Sequence, residues 1–221
     1  MTLPRVRWAV IGIVIFAVFV ALGLLVSHQP LALDTAIANA LRGQWQRPAG
    51  EVASVVSAIL GPALPVVFDT VLLIAAAVYW RRHERARAGV LIRVALVVVP
   101  CRLVSVVFKP VFVRERPRQY ADLSYPSGHV VSAATTGFAA MLLCLWLAPR
   151  LLRWVAVVAV VATVLCAASR LVLGVHWLTD TIGSVLGVLG VGIPAAVALQ
   201  LLPKPPDPVP AEQEAGVISP G

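Results

Sequence analysis

Apolar residues fall in six long runs along the chain, separated by short polar stretches. A run of about 20 mostly apolar residues is what a helix needs to cross a bilayer, and it is too long for a strand. The runs are Trp8–Val26, Pro65–Trp80, Ala88–Phe108, His129–Leu147, Leu151–Ser169 and Trp177–Leu202. They predict an all-α protein, a bundle of six transmembrane helices. The first run exceeds the roughly 7–15 apolar residues of a signal-peptide core, so it reads as an uncleaved anchor. A membrane-edge helix is expected over Glu51–Leu60, parted from the second span by Gly61-Pro62, a pair that breaks or bends helices. Between the first two spans Asp34 reads as an N-cap, Ile37 and Leu41 share a face, and Gly43 can close the helix. That predicts a short amphipathic helix on the membrane surface. The tail from Pro203, beginning PKPPDPVP, has little to bury and is expected to be disordered. The expected organisation is an N-terminus over 1–7, a membrane domain over 8–202 and a tail over 203–221.

Composition supports this reading. Of 221 residues, 60% are hydrophobic and 13% charged, about half the charge of an ordinary soluble domain. Mean hydropathy is +0.91. One soluble core of this size cannot hide so much apolar surface, and a chain this apolar is not intrinsically disordered. A net charge of +8 would point to nucleic acid in a soluble protein, but its placement says otherwise. Arg5 and Arg7 precede the first span. Arg81, Arg82, Arg85 and Arg87 fill the second-to-third turn, Arg150 and Arg153 the fourth-to-fifth, and Lys204 follows the sixth. With six spans these all lie on one side, the expected cytoplasmic side, which holds both termini. No nucleic-acid partner is expected. Cys101, Cys144 and Cys166 sit widely spaced inside apolar runs, as packing residues do.

Three segments on the opposite side carry chemistry. Lys109 and Arg116-Pro117 form a Lys-x6-Arg-Pro pattern, Pro126-Ser127-Gly128-His129 opens the fourth span, and Ser169-Arg170 leads to His176 and Asp180. Lys109, Arg116 and Arg170 offer three positive charges, and guanidinium forks suit phosphate oxygens. Ser127 adds a hydroxyl, and Gly128 lets a ligand approach the backbone N–H of a helix start, itself an anion site. His176 and Asp180 are spaced to share a helical face, so Asp180 can hold one ring nitrogen while the other attacks phosphorus. His129 can protonate the leaving oxygen and then deprotonate water. No His or Cys pair has metal-ligand spacing, and the three cations already supply a metal's electrostatic role, so neither metal nor cofactor is expected.

With that set complete, the chain resembles the type 2 phosphatidic acid phosphatase superfamily, whose site is shared with vanadium haloperoxidases. All three parts of that family's signature are matched, in order, between Lys109 and Asp180. The resemblance implies a six-helix membrane bundle with its site facing away from the cytoplasm, at the plasma membrane. It puts the nucleophile at His176, the leaving-group acid at His129 and the orienting carboxylate at Asp180. It puts phosphate binding at Lys109, Arg116, Ser127, Gly128 and Arg170. It implies hydrolysis of a lipid phosphate or diphosphate through a phosphohistidine. Phosphatidic acid, phosphatidylglycerol phosphate and undecaprenyl diphosphate are all open as substrates, and so is the oligomeric state. The alternatives are a lipid phosphotransferase, or a non-catalytic lipid-binding or transport protein.

Other polar residues carry lesser expectations. Asp69 and Arg102 stand at similar depth on adjacent spans and are expected to pair, because an unpaired charge there costs about 2.5–3.5 kcal/mol. The alternative is that each lines a hydrated cavity. Arg93 is expected to snorkel to the cytoplasmic edge. Arg114, Glu115 and Arg118 read as a solvated loop face, with a part in headgroup choice as the alternative, and Asp122 and Tyr125 carry the same two readings. Gly183, Gly187 and Gly190 suit close helix packing. Trp8, Trp80, Trp146 and Trp177 fall where interface anchors sit.

Overall fold

The computed structural model describes residues 3–120 and 122–203. Among them are eight α-helices and no strand: α1 (Leu3–Val26), α2 (Ala32–Ala40), α3 (Pro48–Ile59), α4 (Ala63–Arg81), α5 (Arg85–Phe112), α6 (Gly128–Leu147), α7 (Leu152–Val172) and α8 (Leu178–Ala198). Short 3-10 turns at Gln44–Gln46 and Pro149–Leu151 precede α3 and α7. Six segments are long and apolar enough to cross a membrane: α1, the broken pair α3–α4, and each of α5 to α8. The break between α3 and α4 falls at Gly61-Pro62, with Pro62 at the start of α4. Of the proline-rich tail only Pro203 is described; the tail from Lys204 to the C-terminus lies outside the described residues.

The inner helices are α5, α6 and α8, with 50–56% of their apolar stretches buried, against 17–22% for α1, α3–α4 and α7. Around them α1 lies along α8, α7 along α6 and α4 along α5. Small residues permit the closest of these approaches. A β-carbon at Gly190 would stand 2.7 Å from the Phe16 backbone, and one at Gly187 2.7 Å from Val104 Cγ1. Outward faces are apolar, as Val67 on α4 and Val158 on α7 illustrate, which is the arrangement hydrocarbon requires. At one end Phe16, Phe19, Phe108, Phe112 and Tyr125 form an aromatic cluster with centroids 5.1–5.9 Å apart. It packs the top of α1 against the top of α5 and the start of α6. The arginine-rich turns between α4 and α5 and between α6 and α7 lie at the other end.

Three sequence expectations are corrected. The helix of the third span runs a turn past Phe108 to Phe112, so Lys109 is helical, not in a loop. Asp34 stands at the third position of α2, not at its N-cap, and its side chain is fully buried. Asp69 and Arg102 do not pair. Arg102 donates to Ser132 Oγ on α6, while Asp69 Oδ1 is buried with no protein partner. Both line a cavity of about 340 Å³ between α4 and α5. Similar depth does not set the direction in which a side chain leaves its helix, and Arg102 turns inward, where α6 offers an acceptor.

Candidate active site

Four helix ends meet at the aromatic end of the bundle. The last turn of α5 carries Lys109, and the segment after it carries Arg116. Ser127 is the N-cap of α6, Gly128 its first residue and His129 its second. Arg170 lies in the last turn of α7. His176 precedes α8, and Asp180 is the third residue of α8. A cavity of about 500 Å³ is lined by Lys109, Arg116, Gly128, His129, Arg170 and His176. Ser127 and Asp180 are fully buried beside it. The structure thus brings the three sequence segments to one place.

The two histidines differ in their support. His176 Nδ1 lies 3.3 Å from Asp180 Oδ2. A buried carboxylate can only accept, so Nδ1 carries the proton and Nε2 is left with its lone pair. Burial, the largest influence, pushes His176 down to about 4 against the pull of Asp180, with Arg116 and Arg170 adding to the fall. The imidazole is therefore neutral near pH 7. His129 is backed by Gly61: a β-carbon there would stand 2.8 Å from His129 Cδ2.

The cations are held in different ways. Arg116 Nε donates to the Asp122 carbonyl at 2.6 Å, one terminal nitrogen donates to Val175 O at 3.0 Å, and the other donates to Leu123 O and to Asp122 Oδ2. The guanidinium also stacks on Tyr120, 4.5 Å from the ring centroid. Burial lowers Arg116 from its ordinary value, opposed by Asp122, Tyr120 and Asp180. Lys109 Nζ donates to the same Asp122 carboxylate. Burial would raise Asp122, but the hydrogen bond from Lys109 and the charges of Lys109 and Arg116 hold it below the usual carboxylate range. Arg170 donates to Ser57 Oγ at 2.7 Å, and its Nε, like the Ser127 hydroxyl, is buried with no protein partner. A β-carbon at Gly128 would meet Ser105 Oγ only at an ordinary 3.6 Å. Packing within the protein therefore does not require glycine there.

Behind the cavity lies a network that the sequence reading missed. Arg114, expected on a solvated face, is 2% exposed. It donates to Asp180 Oδ1 at 2.6 Å, to Asp34 Oδ2 at 2.7 Å and to Thr179 Oγ1 at 2.7 Å. Asp34 accepts in turn from Thr179 N at 3.0 Å and Thr179 Oγ1 at 2.6 Å. Asp180 Oδ2 also accepts from Trp177 N at 2.8 Å and from Ser124 Oγ. Arg114 is buried because two carboxylates compensate its charge; losing one partner of such a group costs about 3–5 kcal/mol. The available signal was two arginines, Arg114 and Arg116, that alternate in a segment expected to face water. Among the described residues, no group of three His, Cys, Asp or Glu is placed to hold a metal ion.

Fold and cavity together define a helical protein with six candidate membrane spans and a cationic, two-histidine site at one end of its bundle. The family model of the PAP2 superfamily matches residues 88–201. The chain belongs to that superfamily. It is similar in structure to a transmembrane PAP2-type phosphatidylglycerolphosphate phosphatase from Bacillus subtilis, at a TM-score of 0.65 and 24% identity, over 85% of this chain and 94% of that one. No curated protein gives a significant match. The matched segment takes in Lys109 to Asp180 but not α1 to α4, so Asp34, Ser57 and Gly61 lie outside it.

Proposed function

We propose that the protein is a metal-independent lipid phosphate phosphatase working through a phosphohistidine. The observation that carries this reading is the cavity shared by His176, His129 and three cations. His176 Nε2 attacks phosphorus as the bond from phosphorus to the lipid oxygen breaks. His129 gives its proton to that oxygen. Water then attacks phosphorus, His129 takes a proton from it, the phosphorus–nitrogen bond breaks and phosphate leaves. Asp180, bonded to Nδ1, favours the positive charge that the ring gains on phosphorylation. Lys109, Arg116, Arg170, Ser127 and the Gly128 N–H hold the phosphoryl oxygens as charge grows on them. The unpartnered Ser127 hydroxyl and Arg170 Nε fit that task, as does a glycine at 128 that packing does not demand.

The substrate class is a phosphomonoester or diphosphate on a lipid: phosphatidylglycerol phosphate, as acted on by the structural neighbour, phosphatidic acid or a polyprenyl diphosphate. The arginine-rich end is cytoplasmic in this reading, with both termini there. The site then faces outward across the plasma membrane, with the lipid tail kept in the bilayer. Residues 8–202 form the membrane domain, flanked by 1–7 and 203–221. The test is release of inorganic phosphate by purified protein from four lipids: those three and a sphingoid phosphate. His176→Ala is the control. Release from at least one lipid, abolished by His176→Ala, is expected. No release from any of the four, or full activity in the variant, overturns the reading.

A further inference from the structure

We propose that Arg114, backed by Asp34, is a positioning residue that sets the charge and orientation of the Asp180–His176 pair; this rests on the phosphatase reading of the site. Arg114 is not among the residues that line the histidine cavity. Its hydrogen-bonded link to His176 runs through Asp180, whose Oδ1 it holds while Oδ2 holds His176, and its guanidinium also lies over Trp177, the next residue in the chain. Fixing one carboxylate oxygen fixes the other, and so fixes the direction of the imidazole. Ser124 and the Trp177 N–H complete the shell around Oδ2.

Charge makes the second half of the case. Arg114 alone would neutralise Asp180 and weaken its pull on His176. Asp34 restores the balance: two buried carboxylates share one guanidinium. One negative charge is thus left to face the imidazole as it becomes positive on phosphorylation. Asp34 comes from α2, a helix that carries none of the three sequence segments, and it binds the N-terminus of α8 through Thr179 N. Val113 ends α5 with φ +46, a left-handed conformation that costs a β-branched residue energy and persists only where its surroundings enforce it. There the Val113 N–H donates to the Lys109 carbonyl at 3.1 Å and closes α5 directly before Arg114.

Other charges bear on His176 as well. Arg116 and Asp122 face it from the segment between α5 and α6, Lys109 from the last turn of α5, His129 from α6 and Arg170 from α7. None of these is altered by changing Arg114 or Asp34, so the sign of the effect is determined. Loss of Arg114 removes a positive charge and leaves two carboxylates, which raises the protonation of His176. Loss of the Asp34 charge lowers it.

The experiment uses the full chain in detergent micelles, with short-chain phosphatidic acid and phosphatidylglycerol phosphate as probes. Arg114→Gln is expected to lower kcat by about 100-fold with KM changed less than about threefold, because orientation is lost while the cradle stays. Its acid limb in kcat/KM is expected to move up by about one pH unit. Asp34→Asn is expected to move that limb the other way. Arg114→Lys keeps the charge and is expected to restore the limb but only part of kcat. Histidine 15N NMR of His176 reads the same opposite shifts without turnover. If the wild type releases no phosphate from any lipid, the phosphatase reading falls, and the NMR shifts alone decide this proposal. Unchanged limbs and an unchanged His176 titration in Arg114→Gln and Asp34→Asn would overturn it. Activity lost only in proportion to folded yield would do the same.

Discussion

The Tyr125 ring fills the space that a side chain at Gly183 would need: a β-carbon there would overlap Tyr125 Cε2 and Cζ. The tyrosine hydroxyl continues past α8 to donate to the Phe19 carbonyl on α1 at 2.7 Å. Tyr125 stands directly before Pro126-Ser127-Gly128-His129, so α1 and α8 together place the start of α6. Gly183→Ala is expected to destabilise by about 1–3 kcal/mol, the usual cost of overpacking, and to cut phosphate release by displacing His129. Gly89→Ala is the control, since nothing stands within 4 Å of its added carbon. Thermal unfolding in micelles and phosphate release check both variants.

The burial of a neutral His176 has a pH signature. Its protonation is pushed down to about 4, against about 6.5 in an unfolded chain. The proposed nucleophile therefore stays unprotonated until pH falls through about 4, and kcat/KM is expected to keep its acid limb there. Stability follows the same group. Between those two values the unfolded chain binds a proton that the folded chain refuses. The contribution is present in full above the unfolded value and is lost as pH falls toward the folded one. Melting temperature against pH, compared with His176→Gln, reads this slope; equal slopes would contradict it.

Asp122 stands between two of the three cations proposed to hold phosphate. An incoming anion competes with its carboxylate for Lys109 and Arg116. The side chain is about half exposed, 56%, so each ion pair is worth about 0.2–1 kcal/mol. Asp122→Asn is expected to tighten inhibition by inorganic phosphate and vanadate by roughly 2- to 30-fold, the range the two pairs together allow. A competitive inhibition series at fixed pH measures it. Unchanged inhibition constants would show that the carboxylate does not compete.

What was legible in the sequence was whatever periodicity and short spacing control. Six apolar runs and one Gly-Pro break announced the helices, and His176 and Asp180, four apart, announced a shared face. Gly183, Gly187 and Gly190 announced close packing, against Tyr125, Val104 and Phe16. Contacts made across the chain were not legible. Arg114 meets Asp34 at a separation of 80 residues, and Arg170 meets Ser57 at 113. A charged residue in a polar loop looks solvated until the carboxylates that bury it are known. Asp69 and Arg102 failed for a related reason: depth can be read from a hydrophobic run, but the direction of a side chain around the helix axis depends on packing.

The chemistry proposed for the site separates two inhibitors. Vanadate takes the five-coordinate geometry of a phosphoryl group under attack, and a neutral His176 with three cations around it suits that geometry. Vanadate is expected to inhibit phosphate release, while a chelator such as EDTA leaves it unchanged. Loss of activity on chelation, restored by a divalent ion, would show that a metal takes part.

Arg102 and Asp69 supply the last test. Arg102 lines both the histidine cavity and the α4–α5 cavity that Asp69 lines, and its bond goes to Ser132, which itself donates to the Gly128 carbonyl at 2.7 Å. The arginine thus supports the first turn of α6 and stands where the two cavities meet. Exchanging the charges of Asp69 and Arg102 together is expected to give no more folded protein than the worse single reversal, because no bond joins them. Arg102→Met is expected to raise KM for a lipid substrate more than it lowers kcat. Arg102 lies off the reacting atoms, and its loss alters the path beside them. Recovery of folded yield in the double reversal, measured by size exclusion in micelles, would restore the ion pair that this packing denies.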